Sequence, residues 1–133
     1  MPASGYEHGV ALEWLAFANS TLLPKYGAVF TALFKLGLSK EDALKNPLVA
    51  AALDGIQKCW DDVEQQLADK PYLCGSDITV GDILTTVIAN WTGNMPKPIN
   101  FGPKTKAYLA RVSARPAYRQ ALTDEKIEYK AAA

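Results

Sequence analysis

Residues equipped for chemistry are few in this chain. In LCGSDITVGDI, Leu73 to Ile83, a thiol (Cys74) and two carboxylates (Asp77 and Asp82) fall close together, the residue types from which an acid/base pair, a metal site or an activated nucleophile is built. The second thiol, Cys59, and the only histidine, His8, lie far from them along the chain. Local backbone needs compete for the same groups. A helix start leaves its first four N–H groups without partners, and Thr79 followed three residues later by Asp82 has the spacing of a reciprocal cap. Thr79 is expected to accept from the N–H of Asp82, and the Asp82 carboxylate from the N–H of Thr79. Ile78 before the cap and Ile83 after it are placed to form a hydrophobic staple. Gly75 allows a positive φ, and Ser76 with Asp77 completes the turn. With no histidine nearby and both carboxylates occupied, the segment reads as structural, with no catalytic residue and no metal site. Neither thiol has an evident cationic neighbour to lower its pKa, so both read as small apolar side chains. His8, beside Gly9 near a helix start, reads as a surface residue.

The elements that carry these residues are helical. Val49, Leu53, Ile56, Trp60, Val63 and Leu67 step by four and three, which is one face of a long helix. Asn46 before Pro47 is a capping side chain followed by proline at the first helical position, and the segment Asp69–Pro71 closes the helix. Upstream, HGVALEWLAFANSTLLPKYGAVFTALFKLG is apolar at helical spacing on more than one face. It predicts a buried helix kinked or broken near Pro24 and stopped at Gly37. After Thr79, the residues Val80, Ile83, Leu84, Val87, Ile88 and Trp91 again recur at helical intervals. TGNMPKPINFGP must be a loop. KTKAYLARVSA, with Tyr108, Leu109 and Val112, and PAYRQAL, opened by Pro116, give two last helices. Trp14, Trp60 and Trp91 all sit at apolar helical positions and read as core, with one of them bordering a pocket. No strand pattern of useful length appears. The fold class is all-α, a single-domain bundle of about five to seven helices over residues 1–130, and residues 131–133 are set aside as a tail or cloning remnant.

Composition narrows the function classes. A chain of 133 residues with 49% hydrophobic content is long enough for one domain with a real core. Lysine plus arginine and aspartate plus glutamate both total 14, and no basic stripe of the kind that phosphate contacts require is present, so nucleic acid is not an expected ligand. Glu13, Asn19, Pro24 and Lys35 interrupt the longest apolar stretches before they reach membrane-spanning length. Two cysteines at unrelated spacing and a start without a leader pattern point to a reducing, cytoplasmic setting.

PYLCGSDITVGDI also resembles the cap-and-staple segment of the glutathione S-transferase C-terminal domain, with Gly75, Ile78, Thr79, Asp82 and Ile83 matching its fixed positions. Gly81 stands where the family usually has Ala, and Cys74 where a small aliphatic is common. EWLAFANSTLLP resembles the first helix of that domain and ARVSARPAYRQAL its later helix junction, so the likeness runs through nearly the whole chain in the right order. The resemblance implies a helical half without the thioredoxin-like domain that binds and activates glutathione, so this chain alone is expected to bind no cofactor and to conjugate nothing. It further implies a wall of the hydrophobic co-substrate pocket, drawn from Tyr6, His8, Leu12, Leu15 and Asn19 on the first helix, while Ala16 and Leu23 replace polar residues that assist the glutathione site. Implied partners are a thioredoxin-like domain, which would bring glutathione with it, or another protein, a second copy of this chain included. The alternative is a free-standing interaction module of the same fold, as in translation-factor and aminoacyl-tRNA synthetase assemblies.

Overall fold

A computed structural model describes all 133 residues. The long first segment is one rod wound in four stretches: α1 (Gly5–Ala16), a wide π-type stretch (Phe17–Leu22), α2 (Leu23–Phe30) and a second π-type stretch (Thr31–Lys35). The expected break at Pro24 is therefore a local change of winding. Proline has no N–H to give the preceding turn. The helix widens just before it, and Leu23 N–H reaches back five residues to Ala18 O. Lys25 Nζ donates to the Thr21 carbonyl at 3.0 Å, satisfying an acceptor in the altered turn. Gly37, with φ +66°, stops the rod as expected.

A short α3 (Lys40–Lys45) follows, which the sequence reading did not contain. Ser39 caps it by accepting from Asp42 N–H at 3.0 Å. α4 (Pro47–Leu67) is the long central helix, and Asn46 Oδ1 accepts from Leu48 N–H at 2.9 Å at its start. All six apolar positions read from the sequence are buried along it, joined by Cys59. α5 (Val80–Ala89) runs into a 3-10 turn (Asn90–Asn94) that takes up part of the expected loop. α6 (Pro103–Ser113) and α7 (Pro116–Asp124) complete seven α-helices, and the only extended pairing is a bridge between Tyr72 and Gly75.

α4 lies against α2 and α6, while α5 lies against α1 and α6. Their inward faces form one contiguous buried cluster, so the chain has one core. Two polar side chains at its centre are paired: Trp60 Nε1 donates to Tyr26 Oη at 3.0 Å. That leaves the tyrosine's own hydrogen for Thr92 Oγ1, at 2.6 Å. The loop between α5 and α6 is tied to the outer side of α4 at three levels. Lys97 pairs with Asp54 at 2.7 Å, Gln57 exchanges two hydrogen bonds of 2.9 Å with the backbone of Asn100, and Glu64 caps the start of α6. The tail is part of this body, since Tyr129, Ala131 and Ala132 rest on the core.

Candidate functional site

The opening motif holds the start of α5. Asp82 is fully buried, and its Oδ2 accepts from Thr79 N–H at 2.7 Å and from the Thr79 hydroxyl at 3.0 Å. Its Oδ1 accepts from Leu73 N–H at 3.0 Å, which ties the preceding loop to the same carboxylate. Both halves of the reciprocal cap are present, and the Thr79 half is shared, because the Thr79 carbonyl also takes Asp82 N–H at 3.2 Å. The Asp82 carbonyl accepts from Thr86 Oγ1 at 2.7 Å and from the Tyr108 hydroxyl at 3.2 Å. A carboxylate that already accepts from three donors and has no exposure is out of reach of a substrate or a metal. Asp77 is exposed and touches only Ser76. Ile78 packs against the core, whereas Ile83 points outward. Gly75 has φ +126°, as the turn requires.

Both thiols are inert. Burial pushes the Cys59 thiol up, and Lys25 offsets this only in part. Cys74 is raised by burial as well, despite its contact with Thr79. His8 Nδ1 lies 2.6 Å from the Pro2 carbonyl, so the ring fastens the N-terminal residues. Of the other first-helix residues, Tyr6 is 87% exposed, Leu12 and Asn19 are exposed, and Leu15 is half-buried. The Leu15 backbone belongs to the α1–α5 contact. A Cβ on Gly81 would meet Leu15 N at 3.2 Å and Trp14 C at 3.3 Å, which gives a physical reason for glycine at that position.

The apolar residues that recur at helical intervals on α5 divide between two faces: Ile88 is buried and Leu84 half-buried, while Val80, Ile83 and Val87 are 48%, 43% and 39% exposed. The apolar arc is too wide for one neighbour, so the helix has an inner and an outer apolar face. The outer face forms a wall of a groove of about 580 Å³, completed by Trp91, Tyr118, Leu122 and Ile127. Trp91 thereby borders a pocket while still packing on the core. Its ring meets Tyr26 edge-on at 6.1 Å and Phe30 at 5.8 Å, and Phe30 lies 5.6 Å from the exposed Phe34. Aromatic edges thus continue from the groove along α2 and the second π-type stretch.

Glu64 is the polar residue that sequence reasoning missed. Its carboxylate accepts from Lys104 N–H at 3.1 Å, Thr105 N–H at 2.7 Å and Thr105 Oγ1 at 2.7 Å, capping α6 from a different helix. Burial opposes its ionisation, but the bonds from Thr105 and Lys104 outweigh that and hold the carboxyl below its ordinary value. Any Cβ on Gly102 would collide with this carboxylate. No group of three or more His, Cys, Asp or Glu side chains is arranged to hold a metal ion, and no helix is long and apolar enough to cross a membrane.

A family model of the glutathione S-transferase C-terminal domain matches residues 26–116, well over half of the chain. The chain belongs to that family. The tetrachloro-p-hydroquinone reductive dehalogenase of Sphingobium chlorophenolicum is 36% identical over 75 residues, covering 55% of this chain and 30% of the dehalogenase. The bacterial glutathione S-transferase BphK, solved as a ternary complex, superposes with a TM-score of 0.76 at 26% identity, over 95% of this chain and 58% of BphK. The theta-class glutathione S-transferase of Xanthomonas axonopodis pv. citri, solved with glutathione bound, gives a TM-score of 0.71 at 25% identity, over 92% of this chain and 63% of its own. This chain therefore spans less than two thirds of each relative. In this chain the Thr79–Asp82 cap ties the Leu73 loop to the start of α5, and the apolar groove beside α5 is open to solvent.

Proposed function

We propose that this chain is the helical half of a glutathione S-transferase. A thioredoxin-like domain covers the outer face of α5, binds glutathione and supplies the group that stabilises its thiolate. The helical half then contributes the apolar wall against which the co-substrate lies. What supports this reading is an open apolar surface, the Val80, Ile83 and Val87 stripe with its groove, on a chain that spans 58% of the BphK chain. A single-domain protein seldom leaves a continuous apolar face uncovered unless something docks there. Tyr6, His8, Leu12, Leu15 and Asn19 form the lower wall in this proposal, and Phe30, Phe34 and Trp91 extend it with aromatic edges suited to a planar apolar electrophile. In this proposal Asp82, Cys59 and Cys74 take no part in activating glutathione, because Asp82 is buried under three hydrogen bonds and both thiols are raised by burial.

The test is an assay of glutathione conjugation to a generic aryl halide, with and without an added thioredoxin-like domain from a bacterial glutathione S-transferase. The chain alone should not exceed the uncatalysed rate, and its binding of a hydrophobic dye should fall when the domain is added. Turnover by the chain alone, lost on mutating one of its own residues, would contradict the proposal. Undiminished dye binding at saturating concentrations of the added domain would favour the free-standing interaction module.

A further inference from the structure

The balance of charge over the whole chain hides an uneven distribution along it. From Ile83 to Thr123 the charged side chains are Lys97, Lys104, Lys106, Arg111, Arg115 and Arg119, with no Asp or Glu among them. Two of these lysines meet a third at one place. A cavity of about 440 Å³ opens between the loop before α6, the first turn of α6 and the tail, and Lys97, Lys106 and Lys130 line it from those three segments with no acidic side chain in its wall. Its floor is apolar, since the lining residues Met95 and Ile99 are buried.

The neighbouring acids leave these cations open. Lys97 pairs with Asp54 at 2.7 Å and Lys130 with Glu128 at 3.1 Å. Both carboxylates are exposed, so each pair is weak and yields to a stronger anion. Glu64 is committed to the Lys104 and Thr105 N–H groups. Lys106, exposed, has no carboxylate partner. The walls are also preformed. Thr92 is bonded to buried Tyr26 at 2.6 Å, Gln57 holds Asn100 by two bonds, and Asn90 fixes the Lys130 N–H at 2.8 Å, so binding need order no segment. The volume is that of a small-molecule site. Three ammonium groups around it suit a ligand with several negative charges, and an ammonium is a point charge that binds phosphate without the forked geometry of an arginine–carboxylate pair.

We propose that this cavity binds a small molecule carrying more than one phosphate group, held by Lys97, Lys106 and Lys130 with its body over Met95 and Ile99. Asn90 is the only residue that borders both this cavity and the groove beside α5. The site therefore stands independently of the thioredoxin-like partner proposed above.

The experiment is titration calorimetry on the full-length chain at low ionic strength, with tripolyphosphate as the probe and citrate as its carboxylate counterpart. Tripolyphosphate should bind saturably at one site and more tightly than citrate, and added salt should weaken it. Lys106→Gln should weaken it at least about tenfold, as expected for losing one hydrogen bond between charged groups, and Lys130→Gln should do the same. Both side chains are exposed, so the variants should keep the wild-type circular dichroism. Lys70→Gln, which removes the same charge from an exposed position outside the cavity, should leave binding unchanged. No saturable binding to the folded chain, an equal loss in Lys70→Gln, or tighter binding of citrate would overturn the proposal.

Discussion

α4 and α5 are both amphipathic on paper and differ in what they leave uncovered. Every apolar position read on α4 is buried, and its polar side grips the loop before α6 through Asp54, Gln57 and Glu64. α5 has the same kind of inner face, yet Val80, Ile83 and Val87 form a second apolar stripe that meets no other part of the chain sufficient to cover it. α4 is what a helix looks like when the domain supplies all its partners. α5 is a helix whose second apolar stripe stays open to solvent.

That contrast can be broken most severely in the core. Trp60→Ala on α4 removes a buried ring and leaves Tyr26 without its indole donor, and should cost about 3 to 5 kcal/mol in urea unfolding. A loss below about 1 kcal/mol would mean that the central packing described here is wrong. Asp82→Ala should follow, at about 2 to 4 kcal/mol, because it strands buried donors on Leu73 and Thr79 as well as removing a cap. Thr79→Ala should cost less, about 1 kcal/mol, and the double variant less than the sum of the two. Equal single costs would mean that the two halves of the cap contribute alike. Additive costs would remove the claim that they are one unit.

Glu64 sharpens the comparison through pH. Its folded carboxyl lies below the ordinary 4.5, so its stabilisation is complete above about pH 4.5 and is lost as acid protonates the folded form. Glu64→Gln should flatten the acid limb of stability against pH below that point while leaving its shape near neutrality. An unchanged acid limb would show that the cap on α6 contributes nothing measurable.

Much of this was legible from residue order. α4 was, because a single stripe with a capping Asn and a proline leaves little ambiguity, and so was the Thr79–Asp82 cap, a contact across three residues. Leu73 N–H on the same carboxylate was not, since it comes from an irregular loop. α3 escaped because six residues carry no apolar repeat. The outer face of α5 could not be told from the inner one by spacing, because Val80, Ile83 and Val87 have the same chemistry as Leu84 and Ile88, and only the position of neighbouring helices separates the two sets. Glu64 and Gly102 meet across 38 positions by their numbering, and no local pattern announces such a pair. The tail was set aside because three alanines carry no signal, yet the side chain that anchors it, Tyr129, lies just before them.

The first-helix residues give a smaller test of the same idea. Leu15→Ser should destabilise the chain by roughly 1 kcal/mol, because it removes a half-buried apolar side chain, while the Leu15 backbone that meets Gly81 is unchanged. Leu12→Ser, at an exposed site, should stay within about 0.5 kcal/mol of wild type.

The central claim is that the outer face of α5 is a docking surface and not part of the domain's own stability. Ile83→Ser with Val87→Ser addresses it directly, by paired measurement of urea midpoint and hydrophobic-dye fluorescence on the full chain. The account expects the midpoint to move by no more than the equivalent of about 0.5 kcal/mol while dye binding is lost. A large drop in midpoint, with dye fluorescence unchanged or raised, would place those residues in the core and contradict it.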